Sequence, residues 1–261
     1  MNGRLCAISS IGQRAGTAQL PTLLDWRIVA LWRIALATLF LVPVARSEEA
    51  KALWQYRGFT VDASRVASAE NLAALRAATE EQIEIVCEVG LSPKVLAFVR
   101  TLPLRLVTAT ADTSPGAYNS DGHRIVDLAT NLPAFVHHGV LLHELMHAFH
   151  DQCMTDGFDN RDVAGFFEKA KAGKAFPEDA YMLQDPREFF ACAGNVFLYG
   201  VSGKEPFTRA RLQERDPELF AYLGRLFGPA AGRFPGSLAT GPAPPAPESK
   251  HAAEGPIAPR P

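Results

Sequence analysis

The chain of 261 residues has little excess of either charge: 26 Lys and Arg stand against 28 Asp and Glu, for a formal net charge of −2. Proteins that bind nucleic acid usually present a basic face, so this balance gives no support for nucleic-acid binding. The composition, 48% hydrophobic and 21% charged, is that of an ordinary globular protein and provides enough apolar side chains for a full core. We therefore expect a folded protein without a nucleic-acid partner.

The sequence also lacks an uninterrupted apolar run of the length that a membrane span needs. The candidate run, IALATLFLVPV within residues 25–47, has about 11 residues, whereas a span needs about 20. A run of that length behind two arginines is typical of a secretory signal peptide, and Ala45-Arg46-Ser47 supplies small residues for cleavage. We predict that residues 1–47 are removed after Ser47 and that the protein is exported, periplasmic or secreted, with no membrane contact afterwards.

The alternative interpretation of this segment is an uncleaved signal anchor that begins near Ile28. Such a span would have to tolerate Arg33, and an arginine inside a membrane span costs a few kcal/mol. An anchored chain would be a membrane-tethered protein that could use its proline-rich end for interactions. We expect export with cleavage.

Cysteine is scarce, with four in the whole chain, and Cys6 would be lost with the signal peptide. The remaining Cys87, Cys153 and Cys192 are an odd number. In an oxidising compartment they allow either one disulfide with one free thiol or three free thiols.

The pattern of apolar and turn residues favours one α+β domain over residues 48–228. It predicts strands at 56–63, 104–109 and 123–129, and helices at 71–89, 93–100, 134–151, 186–199 and within 208–227. PGAYNSDG, residues 115–122, has the composition of a turn-rich connector, and a polar stretch with Gly157, Gly165 and Gly173 separates the helices at 134–151 and 186–199. We predict a small mixed sheet packed against the helices, and a disordered Pro/Ala/Gly-rich tail at 229–261.

The motif HELMHAFH, residues 143–150, carries the strongest chemical signal. On a helix, His143 and His147 lie about 40° apart and one turn along the same face, so both imidazoles can bind one zinc ion. Glu144 lies beside the first histidine and can accept a proton from a water on the zinc. We therefore predict a zinc site with His143 and His147 as ligands and Glu144 as the base.

His150 is a poorer candidate, because it lies about 10 Å along the helix axis from His143, too far for both to share one tetrahedral ion. We expect it to be exposed to solvent. Asp151 is also too far along the axis, and Asp156 has nothing specific in its favour.

Cys153 and Glu188 remain as candidates for a third ligand. Cys153 follows His147 at the metzincin spacing, but His150 occupies the position where metzincins need a glycine. Glu188 opens an apolar helix that could pack beside the first one, although Asp185-Pro186-Arg187-Glu188 also has the form of a helix N-cap box.

HELMH, followed about 40 residues later by Tyr181 and then DPREFFA, resembles the gluzincin zinc peptidases. The similarity is greatest to the lethal-factor-like catalytic domain and its secreted bacterial and fungal relatives, and covers roughly residues 104–199. It implies a zincin-like fold, one zinc ion held by His143, His147 and Glu188, and Tyr181 as a hydrogen-bond donor to the tetrahedral oxyanion. It also implies that a strand at 124–129 is the sheet edge that binds an extended substrate.

The chain departs from that family at Cys192, where the pattern commonly has a second acidic residue four positions after the ligand glutamate. A cysteine would orient a ligand histidine poorly, so metal affinity or rate could fall below the family norm. Cys192 could instead form a disulfide with Cys153 between the two zinc-bearing helices.

We therefore expect a zinc-dependent endopeptidase that hydrolyses protein or peptide substrates through a metal-activated water. The alternative from another class is a non-catalytic zinc-binding exported domain. The presence of Glu144 argues against it, because nothing structural requires a carboxylate at that position.

Overall fold

The structure, a computed structural model, describes residues 52–111 and 113–229. The predicted signal peptide at 1–47 and almost all of the predicted tail at 229–261 lie outside the described residues, so both stay predictions. Within the described part, no helix combines the length and the apolarity needed to cross a membrane.

A five-stranded mixed sheet forms one layer of the α+β fold. Its strands are β1 (Leu53–Tyr56), β2 (Phe59–Asp62), β3 (Leu104–Val107), β4 (Gly116–Asn119) and β5 (Ile125–Ala129), in the order β1-β2-β3-β5-β4. The two outer pairs, β1 with β2 and β4 with β5, are antiparallel, while β2–β3 and β3–β5 are parallel. The predicted small mixed sheet is thus confirmed.

The single strand predicted at 56–63 is instead a hairpin of β1 and β2. Arg57 and Gly58 form its two-residue turn, both with positive φ, of 50° and 87°. Two-residue turns of this kind match the twist of the strands they join, and glycine adopts positive φ without a steric penalty.

The connector predicted at 115–122 contains β4, an edge strand of the sheet. The turn-forming composition of this segment gave no strand signal. The strand is only four residues long, and it pairs on one side only, with β5. The strand predicted at 123–129 is β5 and lies between β3 and β4. The expectation that residues 124–129 form the substrate-binding edge is therefore wrong, because the edge beside the motif helix is β4.

Seven α-helices of the described residues accompany the sheet. They are α1 (Leu72–Glu88), α2 (Pro93–Val99), α3 (Val140–Cys153), α4 (Arg161–Ala172), α5 (Pro186–Tyr199), α6 (Arg209–Arg215) and α7 (Pro217–Phe227). The side chain of Ser92 caps α2 by accepting a hydrogen bond from the Val95 amide, with Pro93 at the first helical position. Helix α4 lies in the polar stretch for which the sequence predicted no element, and Asn160 caps it in the same manner.

The motif helix begins six residues later than predicted. Residues Leu132–His138 form a 3-10 helix, and Gly139, in the left-handed region with φ of 57°, separates it from α3. A Cβ at Gly139 would lie 2.8 Å from the side-chain oxygen of Asn195, so the close approach of α5 also requires glycine here.

The core lies between the sheet and helices α1, α3 and α5. Phe59, Leu104, Leu106 and Leu128 contribute buried side chains from the sheet, and α3 and α5 are buried along most of their lengths. Gly194 of α5 faces Met146 of α3, whose sulfur would lie 3.1 Å from a Cβ at that position. This absence of a side chain lets the two helices pack closely, which sets the separation of the residues they carry.

Candidate metal centre

His143, His147 and Glu188 come together where α3 and α5 pack. The two Nε2 atoms of His143 and His147 are 3.2 Å apart. The carboxylate of Glu188 places Oε2 3.2 Å from His143 Nε2 and Oε1 3.5 Å from His147 Nε2. Each imidazole nitrogen thus lies within 3.5 Å of the other and of one Glu188 carboxylate oxygen, and we call these three side chains the metal triangle.

These separations fit a tetrahedral zinc ion. Zinc bonds of about 2.0–2.1 Å at the tetrahedral angle separate neighbouring donor atoms by about 3.3 Å. The observed distances of 3.2, 3.2 and 3.5 Å lie within a few tenths of an ångström of that value. Two imidazoles and one carboxylate are also a donor set that zinc accepts, and three protein ligands leave its fourth position open.

A further observation supports the fit: Glu188 Oε2 is buried and makes no hydrogen bond of acceptable geometry, although His143 Nε2 lies 3.2 Å away. A buried carboxylate oxygen without a partner costs free energy unless a cation is close. Burial alone would raise the pKa of Glu188, but its interactions with His143 and His147 outweigh burial and hold that pKa well below its usual range. For His147, burial is likewise outweighed, and the carboxylates of Glu188 and Glu144 raise its pKa.

The start of α5 explains how Glu188 becomes available. The side chain of Asp185 accepts hydrogen bonds from the amides of Arg187 and Glu188, at 2.8 and 3.0 Å. Asp185 thereby caps the helix without help from the Glu188 carboxylate. The N-cap interpretation and the site interpretation of this segment are compatible, since they use different side chains.

Glu144 is buried on α3 beside the metal triangle and lines the same cleft. Its neighbour across the gap is Gly116 at the start of β4. A Cβ at Gly116 would lie 2.9 Å from Glu144 Cγ and 2.8 Å from a methyl group of Val140. Only glycine at this position leaves room for the glutamate in its present place.

Tyr181 lies in a 3-10 turn, Tyr181–Leu183, that precedes α5, and it lines the cleft close to Glu188. Burial, followed by the charge and hydrogen bonding of Glu188, raises the pKa of the Tyr181 phenol. The hydroxyl therefore keeps its proton at neutral pH and remains a hydrogen-bond donor.

The expectation that His150 is exposed is wrong. The side chain is completely buried, with the rings of Phe158 and Phe190 at 5.3 and 5.0 Å between centroids. Neither ring nitrogen has a hydrogen-bond partner, and burial lowers the pKa of His150 to about 4. The apolar residues that bury it come from α5 and from a turn after α3, which the sequence of α3 alone could not indicate.

The other ligand candidates lie apart from the triangle. Asp151 accepts a hydrogen bond from the Tyr118 hydroxyl at 2.7 Å, and Asp156 occupies a left-handed turn. Cys153 is exposed at the end of α3 and Cys192 is buried in α5. Both thiols are free, as is Cys87, so the disulfide considered for Cys153 and Cys192 is absent.

Cys192 lies one turn after Glu188 and borders the metal triangle. Its sulfur and the donor atoms of His143 and Glu188 all lie within 4.8 Å of one another. Burial, followed by the nearby Glu188 charge, raises the pKa of this thiol. The protonated thiol is a weak hydrogen-bond donor, at the position where the gluzincin pattern commonly has an acidic residue.

The cleft that contains these residues has a volume of about 560 Å³. Sequence reasoning missed two of its walls: β4, and the loop that contributes Ser202, Gly203 and Lys204. Tyr118 of β4 also connects that strand to α3, because Gln152 donates to its hydroxyl at 2.8 Å while the hydroxyl donates to Asp151. The only sequence signal for strand β4 was weak: the aromatic Tyr118 lies between a small and a polar residue, Ala117 and Asn119.

Comparison with known proteins yields a distant structural neighbour. No protein family and no curated protein matches the chain. Among solved structures, the chain is similar to a Pro-Pro endopeptidase from Paenibacillus alvei, at 17% identity and a TM-score of 0.41, over 59% of this chain and 92% of that one.

Proposed function

We propose that the chain is a zinc-dependent peptidase of the gluzincin type, with His143, His147 and Glu188 as the metal ligands. The observation that carries the proposal is the metal triangle, whose distances between ligand atoms match those around a tetrahedral ion, with the buried carboxylate of Glu144 beside it in one cleft. When bound, zinc would supply the Lewis acidity that polarises a peptide carbonyl and makes a water acidic enough to lose a proton near pH 7.

The other residues of the cleft supply proton transfer and charge stabilisation. Glu144 accepts the proton of the attacking water and later delivers it to the leaving amine, as general base and then general acid. Tyr181, whose phenol is protonated at neutral pH, donates a hydrogen bond to the developing oxyanion. Glu144 is held beside the attack position by its packing against Gly116.

Strand β4 is suited to hold the peptide in extended form. The Ala129 amide donates to the Pro115 carbonyl, and Ala117 lies opposite Asp127, so alternate residues of β4 direct their backbone groups toward β5. Gly116 and Tyr118 therefore direct their amides and carbonyls to the open edge, where an extended peptide can pair with them. An antiparallel peptide would place its C-terminal half at the Gly116 end.

The decisive experiment measures zinc per chain by elemental mass spectrometry, together with peptide hydrolysis. We expect about one zinc per chain for the wild type and for Glu144→Gln, and loss of most of it for His147→Ala and Glu188→Ala. Hydrolysis of a peptide library should fall by about 10²–10⁴ in Glu144→Gln, which keeps its zinc.

Other results would change the proposal in defined ways. Full zinc binding by Glu188→Ala would remove the glutamate from the ligand set. Zinc binding without hydrolysis in the wild type would favour a non-catalytic zinc-binding domain, for which the weak donor Cys192 is the favouring feature. A wild type without zinc would overturn the proposal.

We also propose, from the sequence of residues 25–47, that the peptidase is exported after cleavage behind Ser47. Mass analysis of the N-terminus of the secreted product tests this. A mature chain beginning at Glu48 is expected, and an intact residue 1–47 segment in the membrane fraction would show an anchor instead.

A further inference from the structure

Lys204 is a cation at the cleft wall without a counter-charge. It lines the cleft that contains His143, Glu188 and Tyr181, and its ammonium lies 3.3 Å from the ring centroid of Tyr181. Among the described residues, its ammonium makes no hydrogen bond and no ion pair. An exposed lysine usually extends into solvent, because ordering its long side chain costs entropy. A lysine held against the wall of a cleft is thus available to a ligand.

The loop that contains Lys204 is held in place at both ends. Arg211 pairs with the buried carboxylate of Glu205 through two hydrogen bonds of 2.6 and 2.8 Å. Arg209 donates to the carbonyls of Phe197 and Leu198 at 2.7 and 2.8 Å, which joins the loop to the end of α5. Because these bonds flank it, Lys204 is presented from an ordered support.

Two further contacts fix the tip of this loop. The Lys204 amide donates to the Ser202 hydroxyl at 3.1 Å, and the Ser202 amide donates to the Phe207 carbonyl at 2.8 Å. A Cβ at Gly203 would lie 3.1 Å from the ring of His138, so the loop packs directly on the segment that precedes α3. The backbone of the loop tip is therefore close to the N-terminal end of the motif helix, and the Lys204 side chain extends from it over the Tyr181 ring.

The position of Lys204 corresponds to the C-terminal half of a bound peptide. Gly116 lies beside Val140, at the same end of α3 as His138 and Gly203. A peptide antiparallel to β4 has its C-terminal half at this end, so Lys204 lies beside the residues that follow the scissile bond. The cation at the other end of the cleft is Arg187, which stacks on Phe158 at 4.3 Å.

We propose that Lys204 is a specificity-determining residue that binds a carboxylate of the substrate at the first or second position C-terminal to the scissile bond. The inference rests on the proposed peptidase function and deepens it. The carboxylate has two possible sources, an Asp or Glu side chain within a longer peptide or the C-terminus of a short one. Either would form a charge-assisted hydrogen bond with the ammonium in a cleft that partly excludes water.

A competing role for Lys204 is to orient Tyr181 through the contact between ammonium and ring. The two roles give different results. Loss of an orienting contact would lower turnover of all peptides by the same factor. Loss of a carboxylate-binding group would affect acidic substrates alone and leave neutral ones unchanged.

The test uses C-terminally amidated peptides that differ only in Glu or Gln at the first or second position after the scissile bond. The parent sequence comes from the library screen with the zinc-loaded wild type. A third peptide carries Gln at the tested position and ends at that residue with a free C-terminal carboxylate in place of the amide. We expect the wild type to favour one carboxylate-bearing peptide over the neutral peptide by about tenfold in kcat/KM, and the favoured peptide identifies the source.

Four variants decide the role of Lys204. Lys204→Gln should lose the preference while cleaving the neutral peptide as the wild type does, Lys204→Arg should keep it, and Lys204→Glu should favour a Lys peptide. Lys94→Gln removes an equal charge from an exposed position of helix α2 and should change nothing. An equal loss on all peptides in Lys204→Gln, or no preference in an active wild type, overturns the inference and leaves the peptidase proposal intact. A wild type without hydrolysis, with or without zinc, would instead contradict the proposed function.

Discussion

At the scale of single residues, Glu188 shows how a helix start and a metal site share one segment. Asp185 caps α5, and the carboxylate three residues later is free to face His143 and His147. From the sequence, cap and ligand were competing roles for Glu188, because pattern alone does not tell which acidic side chain accepts the amide hydrogen bonds. The local geometry separates the roles.

The proposed hydrogen bond from the Tyr181 hydroxyl to the oxyanion can be tested by removing that hydroxyl. Tyr181→Phe keeps the ring and its packing but removes the proposed donor to the oxyanion. We expect kcat to fall by about 10²–10³ with little change in KM, because the bond forms only as the oxyanion develops. Zinc content should match the wild type. An unchanged kcat would show that Tyr181 is a packing residue of the cleft.

His150 predicts a defined dependence of stability on pH. Burial lowers its pKa to about 4 in the folded protein, whereas an unfolded chain binds a proton near pH 6.5. Between those values only the unfolded state is protonated at this site. Stability is therefore lost as pH falls from about 6.5 to about 4, by up to about 1.4 kcal/mol per pH unit.

The variant His150→Leu removes this proton from the unfolded state and also removes two buried ring nitrogens without partners. Urea unfolding of chelator-treated protein between pH 7 and pH 5 should show a shallower loss of stability in the variant than in the wild type. His123→Leu, at an exposed position, is the matched control. Equal slopes for wild type and His150→Leu would contradict the assigned burial.

At the scale of elements, the sequence predicted α5, β3 and β5 close to their observed bounds and missed elements with a weak apolar pattern. Helix α5 was predicted with its observed bounds, 186–199, because proline begins it, glycine ends it and apolar residues fill it. Strand β4 was missed because four residues paired on one side carry too little apolar pattern. Helix α4 was missed because its glycine and charged residues conceal the few side chains it buries, Val163, Phe167 and Ala170.

The candidate metal centre, too, could be predicted from the sequence only where its geometry is local. The spacing within HELMH predicts two donors on one helix face, since that geometry is local. The approach of Lys204 depends on the course of a loop after α5, and the burial of His150 depends on packing between elements. Neither is encoded in a local pattern.

The contact of β4 with α3 can be tested at Gly116. In Gly116→Ala the new methyl group would collide with Val140 and Glu144, so one of them has to move. We expect a stability loss of about 1–3 kcal/mol from overpacking. Peptide hydrolysis should fall by about tenfold or more, because a displaced Glu144 is poorly placed for proton transfer.

Gly165→Ala is the matched control for Gly116→Ala. It introduces the same methyl group inside α4, where a Cβ would have no heavy atom within 4 Å. We expect this control to gain about 0.5–1 kcal/mol, since alanine is the better helix former, and to keep full activity. Wild-type activity in Gly116→Ala would show that the close approach to Glu144 does not matter for function.

At the scale of the whole molecule, the metal triangle joins the two most buried helices of the fold. His143 and His147 lie on α3 and Glu188 on α5, and α3 in turn packs on the sheet through β4 and β5. An ion held by all three residues would couple the sheet layer to the C-terminal helices. Metal binding should therefore be visible in global stability as well as in activity.

Without the ion, the close contacts of Glu188 with the two histidine rings partly compensate its buried charge, so the metal-free chain should still fold. Zinc at about 100 times its Kd stabilises a protein by about 2.7 kcal/mol, which corresponds to a rise in Tm of about 5–10 °C for a domain of this size. Scanning calorimetry of chelator-treated protein, with and without zinc, measures this rise. Glu144→Gln should show the full shift, because Glu144 is not a proposed ligand, and Glu188→Ala should show little of it. A zinc-dependent shift that survives in Glu188→Ala would mean that the metal does not bridge α3 and α5, and that the coupling between the two helices comes from their packing alone.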